Sequence, residues 1–250
     1  MNILNIEELN QFVNLNIEDF HNTRLKCLQD LKLPKLLSKN PYLFKAKNLN
    51  IAGEYIENLL NAFLSSSEEK IFGDFLERLA IYVSEKTSDG FKSGVSGIDL
   101  EILRDSIHYL ISIKSGSNWG NAAQHNRLSQ DFSNAITRIQ QMDRKNHPQA
   151  VLGICYGKVK TSYLHSYCKL VGQNFWFFIS GNKELYKEII EPIGFRAKEH
   201  NEKFEEGKAQ IINKFTNIFI EEFCTESGKI NWEKLVEYNS KNLDLESLRL

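Results

Sequence analysis

The chain has 250 residues, of which 42 % are apolar and 25 % are charged, and its formal net charge is −1. This composition excludes an intrinsically disordered chain, and the length is sufficient to bury a substantial hydrophobic core. The sequence contains no run of about 18 apolar residues, so a membrane-spanning helix is not expected. The first residues include early acids and no basic stretch, which argues against a secretory signal.

The cysteines also bear on the compartment. The chain has four of them, widely spaced, and no pair has the spacing of a zinc-binding or redox motif. Cysteines of this kind are typical of proteins in a reducing compartment, where they act as small hydrophobic residues. We therefore expect a cytoplasmic protein.

The first third of the chain is predicted to be helical. Apolar residues recur at helical spacing over residues 3–31 and 51–64, and two prolines mark a loop between these segments. A new helix is expected to begin at the serine run, because Ser66 and Glu69 have the spacing of a capping box. An apolar stripe over residues 72–83 continues this helix.

The apolar period changes from helical to alternating after Gly90. Residues 97–103 and 107–114 alternate like half-buried strands, and a tight connection separates them. A long helix over residues 119–142 follows, and then two strand-like runs at 150–156 and 162–171.

The end of the chain is predicted to be mainly helical. Residues 174–180 are strongly apolar and fit either a strand or a buried helix, and the remaining helical segments are 183–191, 196–223 and 231–238. The order of elements predicts a mixed α/β (α+β) fold, with a central mixed sheet of about four or five strands flanked by helices. We expect a single domain over residues 1–250, divided into a helical part (1–65), a core (about 66–180) and a second helical part (181–250).

The predicted hairpin sorts its side chains by type. With a two-residue turn at Asp105–Ser106, Leu100 pairs with Ile111 and Asp99 pairs with Ser112. One face of the hairpin is then apolar, with Ile98, Leu100, Ile102, Tyr109, Ile111 and Ile113. The other face gathers Asp99, Glu101, Ser112 and Lys114.

A cluster of two carboxylates and a lysine suits phosphodiester hydrolysis. The carboxylates can hold a hard cation that neutralises charge in the transition state, and a lysine beside the cation can orient a water or lower its pKa. The alternative is the exposed polar face of an ordinary antiparallel hairpin, which needs no function.

The spacing of this cluster resembles a known motif. An aspartate near a strand end, about a dozen residues and then x-x-K resemble the PD-(D/E)XK nuclease motif, here Ile98–Asp99 and Ser112–Ile113–Lys114. The wider stretch FGDFLERLA, KSGVSGIDLE and YLISIKSGSNWGN is similar to a group of bacterial Type II restriction endonucleases of the PmeII-like kind. The resemblance covers roughly residues 40–195.

The resemblance implies a function as well as a fold. It implies a restriction-endonuclease-like sheet and Mg²⁺-dependent hydrolysis of double-stranded DNA at a specific sequence. It also implies a homodimer, as palindromic sites require, and a cognate DNA methyltransferase in the same system. Two alternatives remain: a repair or recombination nuclease of the same fold, and a non-catalytic DNA-binding protein built on it.

Site residues follow from the resemblance position by position. Asp99 would be the metal-binding aspartate and Lys114 the catalytic lysine, and Ile113 between the motif positions joins the metal set. The departure is Ser112, where the family pattern has Asp or Glu. Glu77, on the preceding helix, and Glu101 are the candidates for the missing catalytic carboxylate and metal ligand.

Two further regions are expected to contact DNA. Asn118, Asn121 and Gln124 follow the lysine near a helix N-terminus, where anions are favoured, although helix capping explains them equally well.

The second region is residues 144–183, which contain no Asp or Glu. Its basic residues, Arg144, Lys145, Lys158, Lys160, Lys169 and Lys183, are interleaved with the aromatic residues Tyr156, Tyr163, Tyr167, Phe175 and Trp176. This pattern is typical of a surface that faces phosphates, and Lys158 and Lys160 are predicted contacts. A chance distribution of the acids is the alternative.

Overall fold

A computed structural model describes most of the chain. The described residues are 1–116, 119–144, 146–164 and 166–244. The helices are α1 (Ile6–Gln29), α2 (Leu33–Leu37), α3 (Pro41–Ala46), α4 (Ala52–Ser88), α5 (Ala122–Met142), α6 (Gln173–Ser180), α7 (Leu185–Glu188), α8 (Ile190–Ile193), α9 (Ala197–Phe223) and α10 (Trp232–Ser240). The strands are β1 (Phe91–Lys92), β2 (Leu100–Arg104), β3 (Ile107–Gly116), β4 (Gln149–Tyr156), β5 (Ser162–Tyr163) and β6 (Cys168–Val171).

Contacts divide the chain into two compact units. Unit 1 comprises residues 1–20 and 71–195, and unit 2 comprises residues 21–70 and 196–250. Both α1 and α4 contribute residues to each unit. The expectation of a single domain stays a prediction.

Unit 1 is built on one mixed sheet with the strand order β1-β2-β3-β4-β6-β5. The pairs β1–β2, β2–β3 and β5–β6 are antiparallel, whereas β3–β4 and β4–β6 are parallel. Parallel neighbours need a long crossover, and α5 supplies it between β3 and β4. The mixed sheet flanked by helices confirms the predicted fold class, with two short strands, β1 and β5, more than the pattern indicated.

The β2–β3 hairpin closes as its sequence predicts. Asp105 and Ser106 both have positive φ, 52° and 63°, which is the geometry of a two-residue turn matched to strand twist. Leu100 pairs with Ile111, as expected. The N–H of Asp99 also donates to Ile111 O at 2.9 Å, so two residues of one strand oppose a single residue of the other, as in a β-bulge. The expected ladder pair of Asp99 with Ser112 is therefore replaced by a side-chain contact.

Both faces of the sheet are covered by apolar clusters. On one face, Leu100, Ile102 and Ile111 pack with residues of α4 and α6. On the other face, Leu110 and Leu152 pack with residues of α5. The prediction that Ile98 shares a face with Leu100 is wrong, because Ile98 precedes β2 and packs in the α5 cluster. The polar face of the hairpin is thus partly covered rather than freely exposed.

Unit 2 is helical and has its own core. Tyr55 is buried at its centre and its ring lies 5.0 Å from Phe219, 5.6 Å from Trp232 and 5.7 Å from Phe44. The short helices α2 and α3 occupy the segment that was predicted as a loop. Each begins with a proline in its first turn, which is compatible with a helix start because that N–H has no intrahelical partner.

The predicted helix start at the serine run is wrong. One helix, α4, continues through it, and Ser66 Oγ donates to Ala62 O at 3.2 Å instead of capping. A serine within a helix can satisfy its hydroxyl on the carbonyl four residues earlier, so no break is required. Glu68, directly after the serine run, pairs with Arg24.

Residues 174–180, for which the pattern allowed either a strand or a helix, form most of α6. The run at 162–171, predicted as one strand, divides into β5 and β6. Among the helices of the described residues, none combines the length and apolar character needed to cross a membrane.

Candidate active site

Asp99 and Lys114 meet beside the β-bulge. Asp99 Oδ2 accepts hydrogen bonds from the main-chain N–H of Ile113 at 2.6 Å and from Ser112 Oγ at 3.2 Å. Lys114 Nζ lies 3.7 Å from the same oxygen. The side chains of Asp99 and Lys114 keep 21 % and 28 % of their surface exposed, so both can reach a ligand. The hairpin therefore holds the carboxylate in one orientation while leaving it accessible.

Glu77 approaches this pair from α4. Gly73, one turn earlier, faces β3, and a Cβ there would lie in ordinary contact with Ser115 Oγ, at 3.6 Å. Burial raises the pKa of Glu77, the negative charge of Asp99 raises it further, and Lys92 and Lys114 oppose both effects. Because these charges act on Glu77, the expected acid from the helix lies in the same electrostatic environment as the hairpin pair.

Glu101 has a different environment. The residue is 8 % exposed, its Oε1 accepts from Ser93 Oγ at 2.7 Å, and its Oε2 lies 2.7 Å from His108 Nε2. Both carboxylate oxygens are thus engaged away from Lys114. Ser112 is also buried, and its hydroxyl leaves the motif without an acid at this position.

The hairpin therefore brings Asp99 and Lys114 of the motif together, and their charges act on Glu77 of α4. A family model described as Type II restriction endonuclease EcoO109I matches residues 7–201. The chain belongs to this family. No curated protein matches it. Membership in the EcoO109I family makes it a restriction endonuclease, a nuclease that cleaves DNA at specific sequences, and confirms the resemblance to Type II enzymes. The narrower PmeII-like grouping stays a prediction.

Few groups in this EcoO109I family member could hold a metal ion. Within the described ranges, no set of three or more His, Cys, Asp and Glu side chains is arranged to hold a metal ion. The side chain of Ile113 is apolar and buried, so its main-chain carbonyl oxygen is the only atom that it offers as a metal ligand. Lys114 pairs with Asp99, and its charge also acts on Glu77.

Lys92 is a charged neighbour that the sequence pattern did not identify. The strand-like alternation was predicted to begin at residue 97, but β1 pairs Lys92 with Leu100, one residue from Asp99. Its positive charge acts on Glu77. A two-residue strand has too few positions to show alternation, so no local signal could have placed it.

Trp119 extends the environment of Lys114 toward α5. Lys114 Nζ lies 5.6 Å from the centroid of the Trp119 ring, and this ring packs edge-on against His125. Asn121 and Gln124 form a reciprocal capping box at the start of α5, so the capping alternative describes the main role of their side chains. Asn118 lies outside the described residues.

Only part of the basic segment, residues 144–183, lies at the surface of the EcoO109I family member. Lys158 and Lys160 are exposed in the loop after β4, and Tyr163 is 86 % exposed. The expectation of interleaved aromatic contacts is wrong for Tyr167, Phe175 and Trp176, which are buried in the core of unit 1. Helix periodicity places the rings of Phe175 and Trp176 inward in α6, which their linear spacing among lysines does not reveal. Lys145 lies outside the described residues.

Proposed function

We propose that this restriction endonuclease is a Mg²⁺-dependent enzyme that hydrolyses phosphodiester bonds of double-stranded DNA at a specific sequence. The observation that carries the proposal is the 3.7 Å approach of Lys114 Nζ to Asp99 Oδ2, with Glu77 acting on the same site from α4. Two carboxylates and a lysine at one accessible point are the groups that metal-assisted hydrolysis requires.

The donor set suits a hard cation. Asp99 Oδ2 is held by hydrogen bonds, whereas Oδ1 accepts none from the described residues and remains for a ligand. Glu77 and Asp99 repel each other electrostatically, and a cation between them would relieve this repulsion. Mg²⁺ is commonly held by one or two carboxylates and keeps several waters, so two acids are sufficient. The Ile113 carbonyl is proposed as a third donor.

A bound Mg²⁺ would neutralise charge on the phosphate and lower the pKa of a water. The chain itself supplies orientation. Lys114 is held between the Asp99 carboxylate and the Trp119 ring, so its ammonium is fixed while its protons remain available as donors. We assign to Lys114 the orientation of the attacking water and the stabilisation of a phosphate oxygen.

DNA binding is proposed to involve the loop after β4. Lys158 and Lys160 are exposed there, at the carboxyl end of a strand that runs parallel to β3. Carboxyl ends of parallel strands lie at the same edge of a sheet, so these lysines and Lys114 are on one side. We further propose a homodimer, which would match a palindromic site, and a cognate methyltransferase that protects host DNA.

Ser112 favours a second candidate function, sequence-specific binding without cleavage. A buried serine stands at the motif position of an acid, and serine is a poor ligand for Mg²⁺. The two candidates differ in one property, which is the breakage of phosphodiester bonds.

Plasmid and phage DNA incubated with the protein and Mg²⁺ test the proposal. Discrete fragments with uniform ends are expected, together with their loss in Glu77→Gln. Glu85→Gln is the matched control, because Glu85 is an exposed acid on the same helix. Binding without any cleavage by the wild-type protein would support the second candidate, and structure-dependent nicking would indicate a repair nuclease.

A further inference from the structure

The loop that delivers Asp99 to the site is residues 93–99. It is closed at its base by the N–H of Ser93, which donates to Asp99 O at 3.1 Å. Within the loop, the N–H of Val95 donates to Ser93 Oγ at 3.0 Å. Gly97 has a φ of 82°, and a Cβ there would lie 2.7 Å from Asp131 Oδ2 of α5. Ser93 therefore holds the carbonyl end of Asp99, while Ile111 O holds its N–H.

Ser93 is in turn held by Glu101. The Ser93 hydroxyl donates to Glu101 Oε1 at 2.7 Å and accepts from the N–H of Val95. These two hydrogen bonds fix the orientation of the hydroxyl. Glu101 Oε2 is 2.7 Å from His108 Nε2, and His108 Nδ1 is 3.4 Å from Asn146 Nδ2. The side chains of Glu101 and His108 are each only 10 % exposed. A buried carboxylate with both oxygens engaged is a rigid anchor, because leaving either oxygen unpaired is costly.

We infer that Glu101 is a positioning residue that acts through Ser93 on the main chain of Asp99, rather than a ligand of the metal. The inference rests on the proposed function, in which Asp99 is a metal ligand. It gives the acid two residues after Asp99 a role that differs from that of Glu77. Glu77 would contribute its charge directly, whereas Glu101 contributes the shape of the 93–99 loop.

A positioning residue and a metal ligand respond differently when the carboxylate is replaced by an amide. In Glu101→Gln the amide oxygen can still accept from Ser93. The amide nitrogen can donate to His108 Nε2 when the imidazole carries its proton on Nδ1 and the Asn146 amide turns its oxygen toward that proton. The loop is then retained although the negative charge is lost. A metal ligand does not tolerate this change, because the amide lacks the charge that holds the cation.

Cleavage rates at saturating Mg²⁺ separate these roles. We expect Glu101→Gln to cut within about fivefold of wild type and Ser93→Thr, which keeps the hydroxyl, to do the same. Glu101→Ala and Ser93→Ala are expected to lose about tenfold to a hundredfold, since displacing a catalytic group by about 1 Å has costs of this size. Ser133→Ala, at an exposed serine on α5, is the control and should cut normally. A loss in Glu101→Gln as severe as in Asp99→Ala would overturn the inference.

Amide hydrogen exchange without metal gives a second readout that does not depend on cleavage. Exchange over residues 93–99 should be at least about tenfold faster in Ser93→Ala than in wild type, and unchanged in Ser93→Thr. Unchanged exchange in Ser93→Ala would contradict the inference, even if Glu101→Ala fails to fold. If the wild-type protein does not cut DNA, the proposed function fails, whereas the exchange experiment still tests the anchoring of the loop.

Discussion

The hydroxyl of Ser112 donates a hydrogen bond to Asp99 Oδ2 at 3.2 Å, at the motif position that the PD-(D/E)XK pattern assigns to an acid. The main-chain N–H of Ile113 donates to the same oxygen at 2.6 Å. Ser112 thus contributes to holding the metal-binding aspartate of the proposed site instead of adding a second carboxylate beside it.

Ser112→Ala is therefore expected to have a small effect. The Ile113 donor remains and the Ser112 bond is the longer of the two, so we expect the lower end of the about 1.5–3 kcal/mol of a hydrogen bond to a charged group, which corresponds to a rate reduction of about tenfold. The measurement is the single-turnover cleavage rate with Mg²⁺. A reduction of more than about a hundredfold would instead show that the hydroxyl has a direct role, such as holding a water for the metal.

Asp99→Ala is expected to abolish cleavage and to leave specific DNA binding in Ca²⁺ largely intact. Losing a charged metal ligand removes several kcal/mol of transition-state stabilisation, whereas the groups proposed to contact phosphates are unchanged. Cleavage assays and gel-shift titrations on the same oligonucleotide check both parts. A variant that cuts within about tenfold of wild type would exclude Asp99 as a metal ligand.

Replacing both Lys158 and Lys160 by Ala is expected to weaken DNA binding at every sequence. Each lost phosphate contact should also make the negative slope of log K against log salt shallower by about one. The control removes the same charge from exposed Lys203 and Lys214 of α9 and should keep the slope. Equal slopes for wild type and the Lys158/Lys160 variant would remove the β4 loop from the DNA interface.

Ser66→Ala is expected to leave the free energy of unfolding unchanged or to raise it slightly. Ser66 lies inside α4, where alanine has the higher helix propensity by a few tenths of a kcal/mol. A capping serine would behave oppositely, since its loss costs about 1 kcal/mol. Urea denaturation of the two proteins distinguishes these outcomes, and a clear destabilisation would indicate a helix start at the serine run.

His21 is expected to make stability depend on pH. Burial lowers the pKa of His21 from 6.5 to about 4, with contributions from His200 and Arg24. Between these two values the unfolded chain binds the proton and the folded chain does not, so stability is highest above pH 6.5 and is lost as the pH falls toward about 4. Urea denaturation at several pH values should show a shallower loss for His21→Gln than for wild type. An identical pH slope in the two proteins would contradict this prediction, and His147→Gln, at an exposed histidine, is the control.

Much of the site could be predicted because it is determined by patterns within short segments of the chain. The alternation of side chains across two short segments defined the β2–β3 hairpin, and the Asp105–Ser106 turn determined that Leu100 faces Ile111. This register is sufficient to bring Asp99 near Lys114. Glu77 was expected from the resemblance as the acid on the preceding helix, and its role at the site stays a prediction.

The partners of Glu101 could not be predicted in the same way. Its place on the polar face follows from a period of two, but the hydroxyl of Ser93 and the imidazole of His108 reach it only after β1 and the hairpin have packed. The same applies to Trp176, whose spacing among basic residues suggested a surface and whose ring is buried.

The sequence by itself determined the β2–β3 hairpin, its turn and the motif residues, because steric alternation and backbone conformation act between near neighbours along the chain. Tertiary structure alone decided that Asp99 lies beside Lys114 and that Glu101 is paired with other side chains. A buried carboxylate must find donors wherever packing supplies them, and those donors come from segments that no local pattern connects. Asp99 is left open to a ligand because the 93–99 loop ends its pairing, while Glu101, two residues later, is enclosed by the contacts that hold this loop.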